Sequence, residues 1–208
     1  MAGSLGNSRK RAAGAAAVEL AVVLPVLLML ALPVVDFARA IQAELILASI
    51  SREGASLASR SGMPPQNILS ALAATSPPLD MPGKGMIYIT KIMGHQEGGG
   101  VRSVVLEQHR WAQGWRQSAY SPASAIWNCG SGGTSWATGT DAGGSCQGLP
   151  GASNASPTAN VMPGKLADGE LVYAVEAFYR FSGLFGGLDV GFGAVPRLGP
   201  DLYSMAVF

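Results

Sequence analysis

The chain has 208 residues and little charge: Asp, Glu, Lys and Arg make up 13% of it, where an ordinary soluble domain carries about a quarter. Lys and Arg number 14 against 13 Asp and Glu, a net charge of +1. There is thus no basic field for nucleic acid and no acidic tail. Cysteine and histidine are down to two residues each, and no Cys-x2-Cys or His-x3-His spacing occurs. That excludes a disulfide-dense miniprotein and argues against a metal centre. No Ser/His/Asp order, phosphate-cradling glycine loop or paired carboxylate motif stands out, so neither an enzyme nor a cofactor is expected. His95 and His109 read as surface residues at strand ends, and Asp168, Glu170 and Glu176 as ordinary strand-flanking charges. Gly (28) and Pro (13) are plentiful but bunched, which marks loops and excludes a collagen repeat. The length suits one domain plus an appendage, with enough chain for a true core.

What the chain does have is one long apolar run. Residues 1–11 are small and polar and end in Arg9, Lys10 and Arg11; from Ala12 to Val35 the only charge is Glu19. About 20 apolar residues cross the hydrocarbon of a bilayer as a helix. Three cations before the run, with no comparable density after it, predict a cytoplasmic N-terminus and an extracytoplasmic bulk. The run is longer than the apolar region of a cleavable secretory signal, the rival reading, which favours a retained span. Helical periodicity continues past Asp36. Phe37, Ile41, Leu45 and Ala48 form one apolar line and Ile46, Ile50, Gly54 and Leu57 a second, with Ser49, Arg52, Ser56 and Arg60 on a polar face. Ser61-Gly62 and Pro64-Pro65 stop the pattern. One helix from about Ala16 to Arg60 would be about 67 Å long, with Pro25 and Pro33 inviting kinks.

A carboxylate inside an apolar span costs a few kcal/mol near the bilayer centre. Glu19 therefore lies near enough to the interface to reach water, or serves an ion pathway, or belongs to a motif. A lone span offers no second polar partner for a pathway. The motif is Gly14-Ala15-Ala16-Ala17-Val18-Glu19, a glycine, four residues and a glutamate between a basic stretch and an apolar helix. It resembles the processing site of type IV prepilins, where a membrane-embedded aspartyl peptidase cuts after the glycine.

More closely, Arg11–Arg60 resembles the TadE-like family, minor pilins or pilin-like proteins of the tight-adherence (Flp, type IVc) pilus apparatus. The matching pieces are Ala17-Val18-Glu19-Leu20, Val23-Leu24-Pro25, Asp36-Phe37 with Arg39, and Arg52-Glu53-Gly54-Ala55. The resemblance implies cleavage between Gly14 and Ala15, with Glu19 as an assembly glutamate that pairs with the new N-terminal amine of a neighbour. Cleavage would remove three of the 14 basic residues, leaving 11 against 13 acidic ones, a net charge of −2. The implied partners are other pilin or pseudopilin subunits, a prepilin peptidase, the inner-membrane pilus platform and membrane lipid.

Beyond residue 62 the pattern changes. Gln66–Thr75 reads as a short helix with Ile68, Leu69 and Leu72 on one side, ended by Ser76-Pro77-Pro78. Met86–Gly94 and Val101–Arg110 read as a hairpin around His95–Gly100. Glu170–Phe181 alternates, with Leu171, Tyr173, Val175, Ala177, Tyr179 and Phe181 on one face and Glu170, Glu176 and Arg180 on the other; Asp201–Phe208 adds a last strand. Between them Gly114–Gly164 is rich in Gly, Ser, Thr and Asn, a loop either functional or disordered. It holds Cys129 and Cys146, which outside the membrane most simply form one disulfide. Trp111, Trp115, Trp127 and Trp136 cluster there, either packing the loop onto the sheet or serving as contact anchors or sugar platforms.

The expected architecture is α+β: a long N-terminal transmembrane helix continuing into a stalk, then a small antiparallel-sheet head with a disulfide-closed loop. Its parts are a leader (1–14), a span (15–36), a helical extension (37–62) and a periplasmic or surface head (63–208). The expected role is pilus assembly, in adhesion and biofilm formation. The alternatives are an uncleaved inner-membrane anchor of the same apparatus, or an exported, membrane-anchored binding domain that uses its Trp-rich loop.

Overall fold

The computed structural model describes residues 6–118, 120–137, 144–183 and 201–208, with side chains from Ala17 onward. Helix α1 (Gly6–Arg60) is followed by α2 (Pro65–Ala74), α3 (Met81–Lys84), β1 (Gly85–Glu97), β2 (Gly100–Arg110), α4 (Ala112–Gln117), β3 (Ser135–Trp136), β4 (Cys146–Gln147), β5 (Leu171–Arg180) and β6 (Asp201–Val207). The chain divides after Ile41 into an N-terminal helical unit and a second unit that holds residues 42–181 and the last strand.

In the first unit, α1 begins ten residues before the expected Ala16, so the basic triplet and the Gly14-Ala15 bond lie in helical backbone. From Ala17 on, this helix is long and apolar enough to cross a membrane, with an 18-residue stretch of mean hydropathy 2.6, none of it buried by the protein. Val18, Leu20, Val22, Leu27, Met29, Leu30 and Val34 are all exposed. A helix apolar all round needs an apolar surrounding, and among the described residues none is supplied.

The second unit is built on a four-stranded antiparallel sheet of order β2-β1-β5-β6. β1 and β2 form the expected hairpin, with β1 running on to Glu97 so that His95 lies inside the strand, and with a register shift between Lys91 and Ile92. Successive side chains alternate between the two faces. On one face the second half of α1 lies with α2. The Ser51 hydroxyl meets that of Ser204 at 2.9 Å, and a Cβ on Gly54 would stand 2.7 Å from Leu72 Cδ1 and 3.0 Å from Val175 Cγ1. The buried stripe of α1 is Ala43, Leu47, Ile50, Ser51, Gly54, Ala55 and Ala58. Of the two expected apolar lines, the first faces outward at Phe37, Ile41 and Leu45, Leu45 being 64% exposed. At 100° per residue Leu45 stands nearly opposite Leu47, and the sheet accepts the side with the small residues. Ile68, Leu69 and Leu72 of α2 are buried as expected, each contributing about 1.5–3 kcal/mol.

The other face is covered by the chain between β2 and β5. Ile126, Ala159, Val161 and Leu166 pack on Ile92, Val105, Val172 and Ala174, with Trp127, Leu149 and Met162 at the margin. Backbone bonds such as Val105 N–H to Pro157 O and Ala159 N–H to Ser103 O tie this layer down. The described part of the Gly/Ser-rich stretch is therefore a third layer, and both faces of β5 are buried.

Gly54→Leu should overfill the α1–sheet contact and cost about 1–3 kcal/mol. Thermal unfolding of the full chain in detergent checks this, with the outward-facing Leu45→Ala near wild type.

Candidate functional site

Two sets of residues carry chemistry, one in each unit. In the first, Gly14, Ala15 and Glu19 share the first turns of α1. Glycine costs a helix about 1 kcal/mol relative to alanine, so Gly14 is the cheapest point to unwind in the surrounding Ala-rich stretch. Glu19 is exposed among exposed apolar side chains, and no hydrogen bond or ion pair reaches it among the described residues. Further along, Asp36 and Arg39 form an i, i+3 pair at 3.7 Å, in the first polar turn after the apolar run.

The second set is a polar row inside the sheet-and-loop layer. Cys129 and Cys146 form a disulfide, as expected. The β3–β4 ribbon pairs Trp136 with Cys146, so the covalent link also places that indole. Beside it, Gln108 reaches up from the sheet: its amide donates to Trp127 O at 2.6 Å and Ser124 Oγ at 3.2 Å, and its carbonyl accepts from Cys129 N–H at 3.3 Å.

Glu176 lies at the centre of this row and overturns its reading as a strand-flanking surface charge. It is completely buried, because β5 is an inner strand covered on both faces. Its carboxylate accepts from Ser124 Oγ, from Ala125 N–H at 2.8 Å and from the Tyr203 hydroxyl at 3.1 Å. One side chain thus joins β5, the covering loop and the C-terminal strand. Burial pushes its carboxyl above the ordinary value of 4.5, against the pull of those donors. Burial and the neighbouring carboxylate also push the Tyr203 phenol up.

The four tryptophans divide. Trp111 is buried, Trp127 borders the core, Trp136 lies over Arg110, and Trp115 stays 40% exposed. His95 bonds Asn154 Oδ1 at 2.8 Å, and His109 stands 3.4 Å from Glu107. Burial lowers the pKa of His109. Among the described residues no group of three His, Cys, Asp or Glu could hold a metal ion. Asp168 accepts Gln96 N–H, near the end of β1, at 2.8 Å.

The N-terminal geometry is a membrane-length helix with a glycine-weakened first segment and a lone carboxylate near its start. Residues 14–56 match the family model described as TadE-like protein. The resemblance read from the N-terminal motifs holds for that stretch, which runs from Gly14 to Ser56 and stays within α1. No curated protein and no solved structure matches the chain. The TadE-like segment points to the tight-adherence pilus system and to association with its components. The helix is compatible with a single-pass anchor. Sequence reasoning missed Glu176 and Arg110. The only signal for Glu176 was that β5 is apolar on both faces, with Val172, Ala174 and Phe178 opposite the expected inner set.

Glu176 binds its proton more tightly in the folded than in the unfolded chain. Its contribution to stability is therefore complete below the ordinary value of 4.5 and lost as pH rises through the raised folded value. In Glu176→Gln this dependence should vanish, removing a slope of at most about 1.4 kcal/mol per pH unit. Urea unfolding of both proteins from mildly acidic to neutral pH measures it.

Proposed function

We propose that this protein is a minor pilin or pilin-like assembly component of a tight-adherence pilus, held in the inner membrane by α1 with its N-terminus in the cytoplasm. The observation that carries this is a TadE-like match centred on a helix whose apolar surface nothing among the described residues covers. Arg9, Lys10 and Arg11 ahead of the span favour that orientation. The head would then fold in the periplasm or on the pilus surface, where oxidising conditions suit the Cys129–Cys146 bond.

The mechanism is assembly rather than catalysis. A prepilin peptidase cuts after Gly14, where the helix unwinds most cheaply. The cut removes the three cations and frees an α-amine at Ala15. In a growing filament the amine of one subunit pairs with Glu19 of another. That pairing replaces a solitary carboxylate in lipid with a compensated one and favours insertion beside a neighbour over isolation in the bilayer. Adhesion and biofilm formation follow from the filament. The inner-membrane platform, the peptidase, other pilin or pseudopilin subunits and lipid are the partners this requires.

Intact mass and N-terminal sequencing of the protein from membranes and sheared filaments should show a chain that begins at Ala15. A chain that begins at Met1 or Ala2 would leave an uncut anchor instead. Glu19→Ala should reach the membrane in normal amounts and fail to enter filaments, read by blotting sheared pili; normal piliation would remove the assembly role from Glu19.

A further inference from the structure

Arg110 ends β2 with its guanidinium between two indoles, its centre 3.9 Å from the Trp115 ring centroid and 4.5 Å from that of Trp136. The residue is 6% exposed. Its buried Nε has no hydrogen-bond partner, and among the described residues no carboxylate pairs with it. A cation buried this far usually meets an acid. Two indoles flank this guanidinium, and the N–H donors left to it are the kind that carboxylate oxygens match.

This cage is held from behind. Arg110 N–H donates to Gly144 O at 2.7 Å. Gln66 brackets the turn, its amide donating to Arg110 O at 2.8 Å and its carbonyl accepting from Ala112 N–H at 3.2 Å. Gly144 has φ +101°, and a Cβ there would stand 2.3 Å from Arg110 O, so only glycine fits. The disulfide places Trp136 through its pairing with Cys146. Trp115, on the short α4, turns much of its ring to solvent. An open indole suits the apolar face of a pyranose ring, and the cation behind it disfavours a cationic ligand.

We propose that Trp115, Arg110 and Trp136 form a binding site for acidic saccharides, with a uronate carboxylate on the Arg110 guanidinium and a neighbouring sugar ring of the same oligomer against Trp115. The site does not depend on the pilus reading.

Trigalacturonate is titrated into the full-length protein in detergent, followed by tryptophan fluorescence and calorimetry. Neutral galactotriose, acetate and inorganic phosphate serve as comparators. Saturable binding of trigalacturonate alone, weakened by added salt, is the expected result. Trp115→Ala, at an exposed position, should keep the thermal midpoint and lose about tenfold in affinity. Arg110→Lys should lose about as much, since it keeps the charge but not the planar fork. Reducing the disulfide should weaken binding by freeing Trp136. No saturable response, an equal response to galactotriose, acetate or phosphate, or full affinity in Trp115→Ala would each overturn the proposal.

Discussion

Between Gly54 of α1 and Val175 of β5 there is no room for a side chain, and the order of the second unit depends on that close approach. A helix seats this near a sheet only along a stripe of small residues, which here is Ala43, Gly54, Ala55 and Ala58 broken by Leu47 and Ile50. Once that stripe is committed, the bulkier Phe37, Ile41 and Leu45 have to face outward. One face of the sheet is then used, and its other apolar face is covered by the chain between Trp111 and Glu170.

Such a cover is expensive to order. It is rich in Gly and Ser, whose backbones lose much entropy on folding and whose side chains bury little apolar area. The polar row beneath it offsets that cost. Glu176 fixes Ser124 and Ala125, Gln108 fixes Trp127 and Cys129, and the disulfide closes the segment between Cys129 and Cys146. A buried carboxylate is a poor source of net stability but a good source of register, because its three donors come from one arrangement of loop, β5 and β6. The same ordering brings Trp136 over Arg110 and leaves Trp115 open beside it.

The first unit obeys a different rule. Around residues 17–35 the helix has no polar side, and no neighbour among the described residues supplies one. The single carboxylate, Glu19, is exposed and has no hydrogen-bond or ion-pair partner among the described residues. This is why the match to the TadE-like family, confined to α1, bears on function more directly than the head does.

Much of this was legible in the residues. Length and hydropathy of the N-terminal run determined a membrane-capable helix, because crossing hydrocarbon is a matter of composition and needs no partner in the chain. Period-two alternation and turn residues located β1, β2, β5 and β6, and a lone pair of cysteines, read as exported, implied their bond. What the sequence left open was which of two apolar stripes on α1 turns inward, since periodicity defines stripes and only a packed surface selects among them. It also left open the fate of Glu176, because a lone acid in an alternating strand reads as exposed until a second layer covers that face. The Arg110 cage was equally hidden: its parts come from β2, α4 and a disulfide-linked ribbon, and residues apart in sequence meet only when long-range packing brings them together.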